Sequence, residues 1–168
     1  MGEASPVVYL LCGLPGTGKT FWAKDLERRT GLVRLSLDEA VLDRLRGKRD
    51  PNDDHRTSRT DLDEATGVVE EAQEAALREA IANGRGVILD HGLWRRADRD
   101  WKKQLVADCG GTWQLMYFTT EDDTQWKRLE ARNRGDLRKA HFISAAELGT
   151  FRSIFEIPED EGETVVRT

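Results

Sequence analysis

Gly13-Leu14-Pro15-Gly16-Thr17-Gly18-Lys19-Thr20 fits the pattern G-x-x-x-x-G-K-[ST] at every fixed position. The chemistry this spacing serves is the holding of phosphate. Glycines let the backbone turn inward and come close to an anion. The loop N–H groups then point at phosphate oxygens, and the positive end of a following helix adds to their field. Lys19 supplies a point charge for the β- and γ-phosphates, and the Thr20 hydroxyl is a hard oxygen ligand suited to Mg²⁺.

Two acids and three arginines could complete such a site. Asp38 follows a short strand pattern at 32–36. It reads either as a helix cap or as the general base that takes a proton from a substrate hydroxyl. Asp90 ends a second hydrophobic run at 86–90. That is a Walker-B-type position, where a carboxylate holds Mg²⁺ directly or through water. Arg128, Arg132 and Arg134 close a predicted helix ahead of a polar stretch that reaches His141. Cations suit a helix C-terminus. The alternative is a lid at about 134–143, because a guanidinium fork grips phosphate oxygens and stays charged. In that reading Arg128 and Arg132 contact nucleotide, and Arg132 or Arg134 stabilises the phosphoryl group in transfer.

The elements that must position these residues alternate along the chain. Strand patterns fall at 7–12, 32–36, 86–90, 112–118 and 164–166. Helical patterns fall at 21–29, 39–46, 62–83, from 95, at 121–133 and from 143. Alternation of this kind predicts an α/β three-layer sandwich, a parallel sheet of about five strands with helices on both faces. Asp38 and Asp90 then sit at the carboxyl edge of the sheet, where such folds bind ligands. Gly31 suits a helix C-cap, and Ser144 with Glu147 has capping-box spacing. The expected inward residues are Val69, Ala72, Ala76 and Ala80; Trp101, Leu105 and Val106; Trp126 and Leu129; and Phe151, Ile154 and Phe155. The polar stretch 47–63 reads as a surface loop or as a substrate-side lid using His55, Arg56 or Arg59. Arg95, Arg96 and Arg99 read as a solvated face paired with Asp98 and Asp100, or as a grip on an anion. His91 reads as a second-sphere group or a packed turn residue.

The bulk of the chain narrows the function classes. Its 168 residues suit one domain, 1–168, with an acceptor-side region at about 42–77. It carries 26 basic and 31 acidic residues, a net charge of -5. That balance disfavours nucleic acid and anionic membrane as general partners. Cys12 and Cys109 have no metal-binding spacing, which fits a reducing cytoplasm. No apolar run approaches the ~20 residues of a membrane helix, and the first six residues are too polar for a signal peptide.

The phosphate loop, the Leu35-Ser36-Leu37-Asp38 turn, the Leu89-Asp90-His91-Gly92 tip and the arginine cluster together resemble the P-loop kinases of the AAA_33 type. This group is related to phage polynucleotide kinase, zeta toxin and chloramphenicol phosphotransferase. The resemblance covers nearly the whole chain, including the stretch 151–163. It implies an ATP-dependent phosphotransferase with Mg²⁺, acting on a hydroxyl of a small molecule. It implies ATP held at 13–20 and a catalytic aspartate at Asp38. The lid arginines would fall among Arg128, Arg132 and Arg134. Polynucleotide kinase carries an arginine three residues after its catalytic aspartate, and this chain has Val41 there. A polynucleotide 5′-hydroxyl kinase is therefore the alternative, with a nucleotide-binding regulatory NTPase beside it. Sensor arginines and a helical subdomain of the oligomeric motor type are not visible.

Overall fold

The computed structural model describes residues 5–46, 59–135 and 141–168. Five strands form one sheet: β1 (Val7–Cys12), β2 (Val33–Ser36), β3 (Val87–Asp90), β4 (Thr112–Thr119) and β5 (Glu163–Arg167). Their order is β2-β3-β1-β4-β5 and every pairing is parallel. Parallel neighbours require crossovers. These are supplied by α1 (Lys19–Thr30), α2 (Leu37–Arg46), α3 (Arg59–Ala82), α4 (Arg96–Asp108), α5 (Asp122–Asn133) and α6 (Ala145–Ile154).

The sheet's centre explains the apolar runs. β1 lies between β3 and β4 and is covered on both faces. Val8, Leu10 and Cys12 join one core with Leu77, Val106 and Leu115. Leu11 joins the other with Ala23, Ile88 and Phe118. This is the two-residue alternation of a strand. The chain leaves β1 toward one side of the sheet and reaches β4 on the other, so a crevice opens at the carboxyl end of β1. The phosphate-loop residues occupy that point.

The expected strands and helices are present, with shifts that matter. α1 starts at Lys19, so the lysine and Thr20 lie in its first turn. α2 starts at Leu37, so Asp38 is inside a helix and not ahead of one. α3 begins at Arg59; His55 and Arg56 lie outside the described residues. Its buried face is Ala65, Val69, Gln73, Leu77 and Ala80, while Ala72 is exposed, which corrects the expected stripe. Four-residue steps from Val69 land on Gln73 and Leu77, and Ala72 falls on the neighbouring face. In α4 the same geometry buries Arg99 and Lys102 with Leu105 and Val106, and leaves Trp101 55% exposed. Trp101 is thus no core residue, and Arg99 is neither a solvated cation nor a grip in the cleft. Ile154 is also exposed; Phe151 and Phe155 pack instead against Trp94 and Tyr117.

Arg99 deserves its burial through Glu161. Its Nε and Nη2 donate to the two carboxylate oxygens at 2.8 and 2.6 Å, and both side chains are essentially inaccessible. Nη1 donates to the Leu93 carbonyl at 3.0 Å and the Trp94 carbonyl at 3.2 Å. Leu93 has a φ of 43°, unusual for a branched side chain, and this anchoring holds it there. Glu161→Gln should cost about 3–5 kcal/mol, because it leaves a buried cation uncompensated; urea unfolding measures it. The Arg99 hydrogen bonds hold the Glu161 carboxyl below its ordinary 4.5. Its contribution to stability is therefore complete above about pH 4.5 and is lost as pH falls through the lowered native value. The variant's deficit should shrink in acid.

Candidate active site

The phosphate-binding loop is built from backbone. Gly13, Gly16 and Gly18 have φ of 148°, 81° and 89°. A Cβ on Gly13 would stand 2.7 Å from the Phe118 carbonyl oxygen, and one on Gly16 3.0 Å from the Leu129 side chain. Only glycine fits both the dihedral and the space. Gly18 precedes α1 with no side-chain cap, so the first N–H groups of that helix face the crevice. Thr17 Oγ1 ties the loop by donating to the Leu14 carbonyl at 2.8 Å. Gly13 N–H donates to the Gly92 carbonyl at 3.0 Å, joining the loop to the turn after β3. Gln125, 2% exposed, donates to the Pro15 carbonyl at 2.8 Å from α5. Leu14 and Pro15 thus serve through their carbonyls.

Lys19 Nζ donates to the Leu14 carbonyl at 2.8 Å. Burial pushes its pKa down, and Asp38 and Asp90 oppose this by attraction. Thr20 Oγ1 donates to Asp90 Oδ1 at 3.3 Å. Asp90 is 5% exposed, and burial raises its pKa against the pull of Thr20, Lys19 and Arg34. Its second oxygen accepts from Arg34 Nη1 at 3.1 Å. Arg34 also donates to Glu39 at 2.6 Å and Glu27 at 3.0 Å. A hydroxyl and a carboxylate oxygen side by side at a phosphate loop are hard donors that fit Mg²⁺. Among the described residues no group of three or more His, Cys, Asp or Glu forms a metal cage.

Asp38 lines the same cleft from the first turn of α2. Arg132 reaches it from α5. Its Nη2 donates to the His141 carbonyl at 3.4 Å, and its Nε is buried with no hydrogen-bond partner. Burial lowers its pKa, with the Asp38 charge acting in the opposite sense. Arg128 is exposed at the rim; it donates to Thr168 Oγ1 at 2.8 Å and to the Gly16 carbonyl at 3.4 Å. Arg134 turns away. It is 77% exposed, pairs with Glu130 at 3.7 Å and is not among the cleft-lining residues. Of the expected lid, residues 136–140 lie outside the described residues.

The cleft holds about 1380 Å³ and runs from the phosphate loop past Asp38 to the cleft-facing sides of α3 and α4. Its far part is reached by Leu62, Thr66, Glu70 and Glu74, spaced four apart on α3. Arg34 and Gln73 were not anticipated as supports of the site. Gln73 had a signal: it is the polar step in the stripe between Val69 and Leu77. Arg34 had none, since its partners are spread over three elements. Cys12 is a buried core thiol; burial pushes its pKa up to about 11, so it is unreactive.

Sheet order, phosphate loop and helix placement define a P-loop domain of the kinase type. A model of the AAA_33 family, described as an AAA domain, matches residues 8–158, and the chain belongs to that family. No curated protein sequence matches it. Among solved structures it is similar to a putative kinase from Chloroflexus aurantiacus, with a TM-score of 0.77 and 18% identity, covering 99% of this chain and 86% of that one. It is similar to a gluconokinase from Sinorhizobium meliloti, with a TM-score of 0.58 and 17% identity, covering 99% and 84%. A chain of the Pnkp1/Rnl/Hen1 RNA repair complex gives a TM-score of 0.67 and 19% identity, covering 90% of this chain but 44% of that one. Likeness at these identities concerns the fold. Among the described residues no helix is long and apolar enough to cross a membrane.

Proposed function

We propose that the protein transfers the γ-phosphoryl group of ATP to a hydroxyl of a small-molecule acceptor. The observation that carries this is the cleft itself. One wall is the phosphate loop, Asp38 stands along it, and ample room continues beyond Asp38 for a second substrate. The loop amides of 13–20 and Lys19 bind the nucleotide phosphates. Thr20 and Asp90 would hold Mg²⁺, which supplies charge neutralisation on the β- and γ-oxygens when bound. Asp38 accepts the proton of the acceptor hydroxyl as its oxygen bonds to phosphorus. The bond to the bridging β-oxygen breaks and ADP leaves. Arg132 stabilises charge on the phosphoryl oxygens in flight, with Arg128 on the nucleotide side. The similarity to kinases of small hydroxyl compounds supports the reading, as do the acidic balance of the chain and Val41.

An ATP-consumption screen across sugars, nucleosides, antibiotics and oligonucleotides tests it. Consumption should depend on one acceptor class. Lys19→Ala should weaken nucleotide binding roughly ten- to a hundredfold, the size of a charge-assisted hydrogen bond. Acceptor-independent hydrolysis, with partner binding switched by nucleotide, would instead fit a regulatory NTPase.

A further inference from the structure

His91 sits one residue beyond Asp90, is 4% exposed, and lines the cleft. Its Nε2 lies 2.6 Å from Gln73 Oε1. Gln73 Nε2 donates to the Ser36 carbonyl at 2.9 Å. These two contacts fix the tautomer. A carbonyl can only accept, so the amide nitrogen of Gln73 must face Ser36 and its oxygen must face His91. That oxygen also only accepts, so the imidazole hydrogen is on Nε2. In the neutral ring Nδ1 is then a bare acceptor. Nδ1 makes no hydrogen bond among the described residues, yet it is not sealed in. Arg132 Nε is the one buried side-chain nitrogen or oxygen there without a partner. A nine-tenths-buried ring therefore offers an unpartnered acceptor to the cleft.

The surrounding wall has the same character. Away from the phosphate loop it carries Asp63, Glu70 and Glu74 from α3 and Asp98 from α4, against Arg95 and Lys102. Glu74 is already taken, accepting from Lys102 and from Trp101 Nε1. Glu70 and Asp98 make no hydrogen bond or ion pair among the described residues. An acceptor here meets lone pairs and negative charge. An anionic molecule is repelled, and a molecule rich in O–H or N–H donors is matched.

Resting on the phosphotransferase reading, we propose that His91 Nδ1 and the Glu70 carboxylate read the acceptor. That acceptor is a hydroxyl-rich small molecule without negative charge, of the sugar or aminosugar kind.

The test compares neutral and aminated sugars with sugar acids and 5′-hydroxyl oligonucleotides as acceptors. His91→Gln keeps a donor able to reach Gln73 but carries an amide oxygen of its own, whereas His91→Leu offers no acceptor at all; it is His91→Leu that isolates Nδ1. His91→Leu should raise the acceptor KM roughly three- to tenfold, the size of one neutral hydrogen bond, with the ATP KM unchanged. Glu70→Gln removes charge where no fold contact depends on it, and should shift preference toward sugar acids. Transfer confined to sugar acids or oligonucleotides overturns the acceptor class and leaves the kinase reading standing. A His91→Leu protein with lowered melting temperature and unchanged acceptor KM overturns the role of Nδ1. ATP hydrolysis with no acceptor phosphorylated in the panel removes the kinase reading, and this inference with it.

Discussion

Asp38→Asn should slow phosphoryl transfer about a hundred- to ten-thousandfold, the usual contribution of a positioned general base. ATP affinity should be preserved. The two roles open to this residue separate cleanly here. Asp38 is the second residue of α2, where its charge adds only about 0.3–1 kcal/mol with the helix dipole, so a residue that only steadies that turn would largely tolerate the change. Asn cannot accept the hydroxyl proton. Asp38 also interacts with Lys19 and Arg132 through its charge, so the neutral amide removes a stabilising partner from both cations. Transfer kinetics and a calorimetric ATP titration on one variant give both readouts. Full activity on the true acceptor would leave Asp38 only a structural role in the first turn of α2.

Arg132→Ala should reduce kcat by about a thousand- to a hundred-thousandfold, the range for an arginine that stabilises phosphoryl charge. The argument is one of unfinished pairing. Among the described residues its Nε is buried without a partner, and the one hydrogen bond it makes there, to the His141 carbonyl, is long at 3.4 Å. Buried polar groups are nearly always satisfied, and exceptions mark functional positions. Burial works against the charge while Asp38 supports it; a transferring phosphoryl group would supply the missing anion. The loss should exceed that of Arg134→Ala, whose side chain is solvated and weakly paired with Glu130. Arg132→Lys should recover little, since an ammonium lacks the planar fork. Single-turnover kinetics at saturating ATP measures the step.

The sequence made the donor half readable because its signals are contiguous. Eight adjacent residues specify the phosphate loop, and apolar runs ending in Ser36 and Asp90 place two acids at the sheet edge. Supports assembled across the chain were not readable. Arg34 draws together Glu27, Glu39 and Asp90 from α1, α2 and β3. Arg99 and Glu161 are 62 residues apart. Where such residues sit in helices, periodicity still held information. Steps of three and four back from Leu105 and Val106 reach Lys102 and Arg99, while Trp101 attracted attention by size alone. The same rule marks Gln73 between Val69 and Leu77. Arg134 stands outside the cleft lining for a local reason. The residue follows Asn133, the end of α5, and points back along the helix toward Glu130.

The central claim is that the cleft moves a phosphoryl group and does more than hold a nucleotide. Its most direct test follows the label from γ-³²P-ATP with the wild-type protein in the presence of an acceptor selected by ATP consumption. The account predicts label covalently attached to an acceptor hydroxyl, in step with ADP formation and suppressed by Asp38→Asn. Label recovered entirely as inorganic phosphate, at a rate that Asp38→Asn leaves unchanged, would contradict it.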